Sequence, residues 1–255
     1  MKQAGDKITV LTAYDFTTAK LLNEADIDVV LVGDSLGMVK RGYDSTIPVT
    51  VDEMVLYTKA VKAGNTKALL VADMPYMSYE TGSGDAVKNA GRLIKQGGAE
   101  AVKVEGGAEI VPQIKAMIAA KIPVMGHIGL TPQAVNVFGG YKVQGRDGKA
   151  AAALIKSAGQ LEKAGVFAIV LECIPAELAK RITASVSIPT IGIGAGVHCD
   201  GQVLVIDDLL GLYSELRPKF VKRYADLRGE ILKAVGSYKR DVKQKKFPAE
   251  EHSYK

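Results

Sequence analysis

The chain is 255 residues long, 47% of them hydrophobic, with 33 Lys/Arg against 28 Asp/Glu. That length and apolar content suit one large α/β domain or two small ones, and exclude a disordered or low-complexity chain. The basic excess is local: residues 217–255 hold 12 Lys/Arg and 5 Asp/Glu, which reads as a solvated terminal helix and tail, since a basic patch for nucleic acid is normally denser.

The opening "MKQAGDK" runs into "ITVLTAYD" without the apolar core and small-residue cleavage site of a secretory leader. No apolar run approaches the ~18 residues of a membrane-spanning helix. Two cysteines, Cys173 and Cys199, stand in no metal-ligand spacing, so neither staples nor zinc organise the fold. A cytoplasmic setting without membrane or nucleic-acid partners is expected.

Short β-branched apolar runs then recur along the chain at 7–15, 28–35, 67–74, 101–106, 123–129, 167–173, 189–196 and 202–208. Continuous apolar runs of this kind are buried on both faces, as parallel strands covered by helices are. Between them lie amphipathic stretches such as "GDAVKNAGRLIKQGGA", "GKAAAALIKSAGQLEKAG" and "PAELAKRITASV". The first two end at glycine, as helix C-caps do. Eight such units predict a single-domain (β/α)₈ barrel over about 7–216 rather than an open doubly wound sheet, with terminal helix and tail over 217–255. The connection 130–148 is unusually long and rich in glycine. It is expected to be a loop able to close over a site.

Active sites of such barrels lie at the C-terminal strand ends. Those ends carry Asp34, Ser35, Asp73, Lys103, Glu105, His127 and Glu172. Lys103 and Glu105, two apart in a strand, share a face with Ala101, while Val102 and Val104 take the other. Three carboxylates brought together repel one another unless a cation sits among them, and hard oxygen ligands suit Mg²⁺ better than Zn²⁺. Each residue alone has a plainer reading. Asp34 or Asp73 could cap a helix, Lys103 and Glu105 could form an interior ion pair, and His127 or Glu172 could be hydrogen-bonded structural groups. Glu172 ends the apolar run "FAIVLE" and is expected to sit in a drier place than the other carboxylates, with the character of a base. Cys173 should face away from it. The glycines of "GIGAG" (192–196) serve either a phosphate or tight strand–helix packing.

The motifs "VGDSLGMV", "GYDSTIPVT", "LLVADMPYMSY", "VKVEGG", "GHIGLTPQ", "FGGYKVQGR", "LECIP", "IGIGAG" and "CDGQVLV" occur in this order. Together they closely resemble the ketopantoate hydroxymethyltransferase family. The resemblance implies a barrel of the phosphoenolpyruvate/pyruvate type, a homodecamer, and the committed step toward pantothenate and coenzyme A. It implies Mg²⁺ on Asp34, Asp73 and Glu105, and a 2-oxoacid held by Asp34, Ser35, Asp73 and Lys103, with His127 lining the pocket. It also implies Glu172 as proton acceptor and 5,10-methylenetetrahydrofolate as one-carbon cosubstrate. The rival readings are a Mg²⁺-dependent 2-oxoacid aldolase or lyase of the same barrel group, and a non-catalytic barrel binding a small anion.

Overall fold

The computed structural model describes residues 1–215 and 218–254. The chain forms two compact units, Met1–Val205 and Ile206–Lys255. The first is a closed barrel of eight parallel strands in sequence order: β1 (Ile8–Thr12), β2 (Val29–Val32), β3 (Leu69–Asp73), β4 (Ala101–Glu105), β5 (Val124–Gly129), β6 (Ala168–Glu172), β7 (Thr190–Ile193) and β8 (Gly201–Leu204). The ring closes where β8 pairs with β1, Gly201 beside Ile8 and Leu204 beside Leu11. Seven strands fall inside their apolar runs, and β8 starts one residue before its run, at Gly201. β2, β4 and β5 are buried throughout, which is why those runs show no apolar–polar alternation.

The helices of this unit are α1 (Phe16–Glu24), α2 (Leu36–Val39), α3 (Val51–Gly64), α4 (Ser83–Arg92), α5 (Val111–Ala119), α6 (Val135–Phe138), α7 (Gly148–Ala164) and α8 (Ala176–Ser185). α4 runs on into a π-helical turn, Leu93–Gly97, and stops at Gly98 with φ 82°. α7 stops at Gly165 with φ 100°. Both are the left-handed caps expected from the glycines. Inside the barrel, Val10, Leu31, Val71, Ala101, Met125, Val170, Ile191 and Val203 form one apolar cluster. Ala101 therefore points inward, and by the period of two so do Lys103 and Glu105 above it.

Four expectations need correction. The connection 130–148 is not structureless, because its first part folds as a 3₁₀ turn, Pro132–Ala134, followed by α6. Proline at the first turn position favours that start. In the second unit, α9 (Ile206–Leu209) replaces the end of the eighth predicted strand. The terminal helix α10 covers only Leu227–Lys243, capped by the Asp226 side chain accepting from Gly229 N. Before it, Val221 N–H closes a turn on the Pro218 carbonyl and Tyr224 N–H bonds back to the Leu209 carbonyl, and Arg217 lies outside the described residues. The tail is not fully extended either, since Glu250–His252 makes a 3₁₀ turn.

Candidate active site

Two residues beyond the apolar layer, the same inward faces become polar. Val71 is followed by Asp73, Ala101 by Lys103 and Glu105, Met125 by His127, and Val170 by Glu172. The register sets Asp73 beside Lys103 and Glu105 beside His127. The contacts follow from this. Lys103 Nζ lies 3.0 Å from Asp73 Oδ1 and 3.6 Å from Glu105 Oε1. His127 Nδ1 lies 3.3 Å from Glu105 Oε1, and its Nε2 lies 3.3 Å from Glu172 Oε2. Asp34, at the end of β2, joins through its backbone, whose N–H donates to Asp73 Oδ2 at 3.1 Å. Ser35 Oγ is 2.8 Å from Tyr14 Oη at the edge of the group. All seven expected residues thus stand at one end of the barrel. Neither Asp34 nor Asp73 caps a helix: α2 and α4, the helices that follow them, have Ser35 and Gly82 at their N-caps.

Two further residues, Gln133 and Tyr79, escaped the sequence reading. Gln133 Nε2 donates to Asp34 Oδ2 at 2.8 Å and to the Met74 carbonyl at 2.9 Å, while its backbone N–H donates to Glu105 Oε2 at 3.0 Å. Tyr79 Oη lies 2.8 Å from Gln133 Oε1 and 3.0 Å from the Glu105 carbonyl, and accepts the Glu105 N–H at 3.1 Å. Both side chains are buried and bracket two of the carboxylates. The signal available was a glutamine straight after "LTP" in a strand-end loop, but a neutral side chain in a loop carries no charge cost to raise the question of its purpose.

Gly129 sets the spacing of β5 and β6. It has φ 102°, and a Cβ there would stand 2.3 Å from the Glu172 carbonyl oxygen. The bare backbone lets Leu130 N–H donate to that oxygen at 2.9 Å, which fixes the backbone carrying Glu172. At the other end of the motif string, a Cβ on Gly196 would stand 2.6 Å from Ala176 Cβ. Within "GIGAG", Gly196 therefore serves close packing against α8, while Gly192 leaves room for Cys199 and Gln202.

Burial dominates the electrostatics. It drives the Asp34 carboxyl well above the ordinary range, with Asp73 and Glu105 adding repulsion. Burial also raises Asp73, against the opposing charge of Lys103. For Glu105 burial pushes the same way, but the positive charges of His127 and Lys103 outweigh it and hold the carboxyl low. Burial would lower Lys103, yet Asp73, Glu105 and Asp34 keep it above its usual value. His127 rises to about 9, since Glu105 and the contacts to Glu105 and Glu172 overcome burial and Lys103. The Cys173 thiol, pushed up to about 12 by burial and then by Glu172, is inert near neutrality.

The expectation of a dry Glu172 is overturned. Its side chain is 14% exposed, against 4% for Asp73 and 3% for Glu105. In register it stands beside Gly129, two residues past the level at which Glu105 pairs with His127, which brings it nearer the rim.

The donor set fits a hard divalent cation in kind and charge. Asp73 Oδ1 is buried and accepts no aligned hydrogen bond, although Lys103 stands near. Asp34 holds a carboxyl whose ionisation its neighbours oppose. Among the described residues, no three His, Cys, Asp or Glu side chains converge as a ready metal cage. Gln133, Lys103 and His127 hold the individual carboxylates instead. Mg²⁺ keeps several waters and needs few direct carboxylates, so such a looser set suits it.

Solved structures of similar architecture include a 2,3-dimethylmalate lyase of the PEP mutase/isocitrate lyase superfamily, at TM-score 0.62 and 15% identity over 99% of this chain and 88% of that one. Phosphonopyruvate hydrolase in complex with oxalate and Mg²⁺ matches at TM-score 0.62 and 12% identity over 98% and 89%. At these identities the likeness speaks for the barrel alone. The sequences go further. The 3-methyl-2-oxobutanoate hydroxymethyltransferase of Carboxydothermus hydrogenoformans is 58% identical over 100% of this chain and 92% of its own length. That of Moorella thermoacetica is 56% identical over 100% and 95%. The model of one transferase family, ketopantoate hydroxymethyltransferase, matches residues 1–250, which take in every strand end that bears the polar cluster. By barrel, cluster and sequence together, the chain belongs to the ketopantoate hydroxymethyltransferase family.

Proposed function

We propose that this transferase moves the one-carbon unit of 5,10-methylenetetrahydrofolate to C3 of 3-methyl-2-oxobutanoate, giving 2-dehydropantoate, with Mg²⁺ held by Asp34, Asp73 and Glu105. The observation that carries the reading is one buried ammonium among three buried carboxylates, next to the His127–Glu172 pair. An enolate-forming reaction on a 2-oxoacid asks for that combination. When bound, Mg²⁺ supplies Lewis acidity to the 2-oxo and carboxylate oxygens, worth several kcal/mol as negative charge develops. Lys103 contributes a fixed positive charge beside the same oxygens without reorganising. Ser35 and Asp34 position the acid end of the substrate.

Glu172 takes the C3 proton. Its rim position lets it reach substrate lying above the buried cluster, with the His127 ring 3.3 Å from its carboxylate though not in line for a hydrogen bond. C3 then bonds to the folate methylene carbon. That carbon's two C–N bonds break in turn, the nitrogens take up protons, and water supplies the new hydroxyl. Tyr79 and Gln133 do no chemistry in this scheme; they hold Glu105 and Asp34 in place.

The reading is tested by C3 hydrogen exchange of 3-methyl-2-oxobutanoate in D₂O with and without Mg²⁺, followed by product formation with and without the folate. Metal-dependent exchange together with folate-dependent 2-dehydropantoate is expected. Turnover with a free aldehyde and no folate would instead make it an aldolase or lyase. The exposed apolar residues Ile231, Leu232, Val235, Tyr238 and Val242 of α10 favour association of subunits, and we take the assembly to be the implied decamer, measurable by light scattering. No helix among the described residues is long and apolar enough to cross a membrane, and a cytoplasmic site of action is part of the proposal.

A further inference from the structure

The loops after β3, β4 and β5 enclose a cavity of about 240 Å³ beside the polar cluster. Glu105 and Gln133 line it, and both also belong to the cluster, through Lys103 and His127 for Glu105 and through Asp34 for Gln133. The cavity therefore adjoins the 2-oxoacid site and shares a wall with it. Its remaining lining has a different character. Tyr76, Glu80 and Glu109 contribute aromatic and acidic groups, and none of the lining residues is a lysine, arginine or histidine. An anionic 2-oxoacid is repelled from such a space, whereas an uncharged ring rich in N–H groups is drawn to it.

Glu80 is placed for this purpose. Its Oε2 accepts the Tyr79 N–H at 3.2 Å, which anchors the carboxylate. Burial nevertheless raises its carboxyl, so further N–H partners would suit its ionised form. At the mouth, Tyr76 is 40% and Val137 85% exposed, and the two form an apolar lip. Pockets that take a whole drug-sized ligand run to roughly 300–1,000 Å³, so this one holds a ring system and leaves the rest of a longer molecule outside.

Resting on the functional reading above, we infer that this cavity binds the reduced pterin head of the folate. Its 2-amino-4-oxo edge donates to Glu80, its ring lies against Tyr76, and its arylamine arm leaves over Val137. Carbon transfer needs the reacting atoms about 3–3.5 Å apart. A folate site across the Glu105–Gln133 wall from the 2-oxoacid meets that demand better than a distant one.

The experiment uses the full-length chain with Glu80→Gln and Val137→Trp. Each variant is titrated with tetrahydrofolate by calorimetry, and KM is measured separately for 5,10-methylenetetrahydrofolate and for 3-methyl-2-oxobutanoate. Both substitutions should raise the folate KM and the tetrahydrofolate Kd about tenfold, as expected when paired charged hydrogen bonds or access are lost, and shift the 2-oxoacid KM less than about twofold. Val137 is exposed, so its variant keeps the test open if Glu80→Gln folds poorly. Unchanged folate constants in Val137→Trp and in a folded Glu80→Gln, with folate-dependent wild-type turnover, would overturn the cavity assignment alone. Equal rises for both substrates would also overturn it. Wild-type turnover that ignores folate would overturn the functional reading and this inference with it.

Discussion

The barrel interior can be compared at two heights on the same strands. In the lower layer Val71, Ala101, Met125, Val170 and Ile191 are apolar and almost wholly buried. Two residues higher, roughly 7 Å along each strand, stand Asp73, Lys103, His127 and Glu172. The first layer gains free energy by leaving water, on the order of 1.5–3 kcal/mol for each large side chain. The second spends it, since charges taken from water are repaid only in part by one another. Stability and chemistry are therefore separated by a single step of the strand period, and neighbouring β7 shows what a strand looks like without the second layer. Its Ile191 sits in the core, while the glycine and isoleucine above it carry no charge.

That separation is broken most sharply from above. Glu172→Gln should slow both turnover and C3 exchange roughly 10²–10⁴-fold, the usual share of a general base, while 2-oxoacid and Mg²⁺ binding persist. Exchange at the wild-type rate would remove Glu172 from the role and make His127 the next candidate. Collapse of Mg²⁺ binding would place Glu172 among the ligands. From below the pattern reverses. Ile191→Ala should cost about 2–5 kcal/mol of stability by leaving a cavity, read as a lower denaturant midpoint, with kcat of the folded enzyme kept within about twofold. A large loss of kcat there would mean that the two layers are mechanically coupled.

Most of this was legible in the sequence because both layers leave strong marks. Apolar β-branched runs can hardly be anything but buried strands, and charges inside such runs, as in "AVKVEGG", stand out against their surroundings. Gln133 and Tyr79 left no such mark, because a buried neutral side chain costs little once hydrogen-bonded. Glu172 was placed correctly on its strand but misjudged in depth, since an apolar run says which face a residue takes and not how close it stands to the rim. The long connection after β5 was misread for a related reason. Its glycines mark positive φ at Gly139, Gly140 and Gly145, whereas the turn and α6 before them are too short to show a helical period.

A smaller effect concerns the metal. Asp73→Asn removes one buried charge from the upper layer, so Mg²⁺ should bind roughly tenfold more weakly, about 1.4 kcal/mol. Activity should fall with it and be partly restored by excess Mg²⁺. Calorimetric titration with Mg²⁺ checks this, and unchanged affinity would take Asp73 out of the metal's reach.

The smallest effect tests whether a raised carboxyl by itself signals a site. Asp208, in α9 of the second unit, is raised to about 6 by burial and then by Asp207, with Arg223 opposing. Among the described residues, Asp207 and Arg223 are the charged groups that act on it. Its folded value lies above the ordinary 3.8, so the ionised form opposes folding above pH ~6, and this cost is relieved as pH falls from ~6 toward ~4. Asp208→Asn should therefore raise Tm at pH 8 and have little effect at pH 4. Asp208 is only half-buried, so solvent screening limits the gain to about 1 kcal/mol or less, or roughly 2–4 °C for a chain of this size. Thermal scans at matched protomer concentration decide it, with kcat measured alongside. A stabilised enzyme of unchanged kcat would separate Asp208 from Asp34, whose raised carboxyl we assign to the proposed metal site. A loss of activity in Asp208→Asn would show that the second unit contributes to catalysis as well.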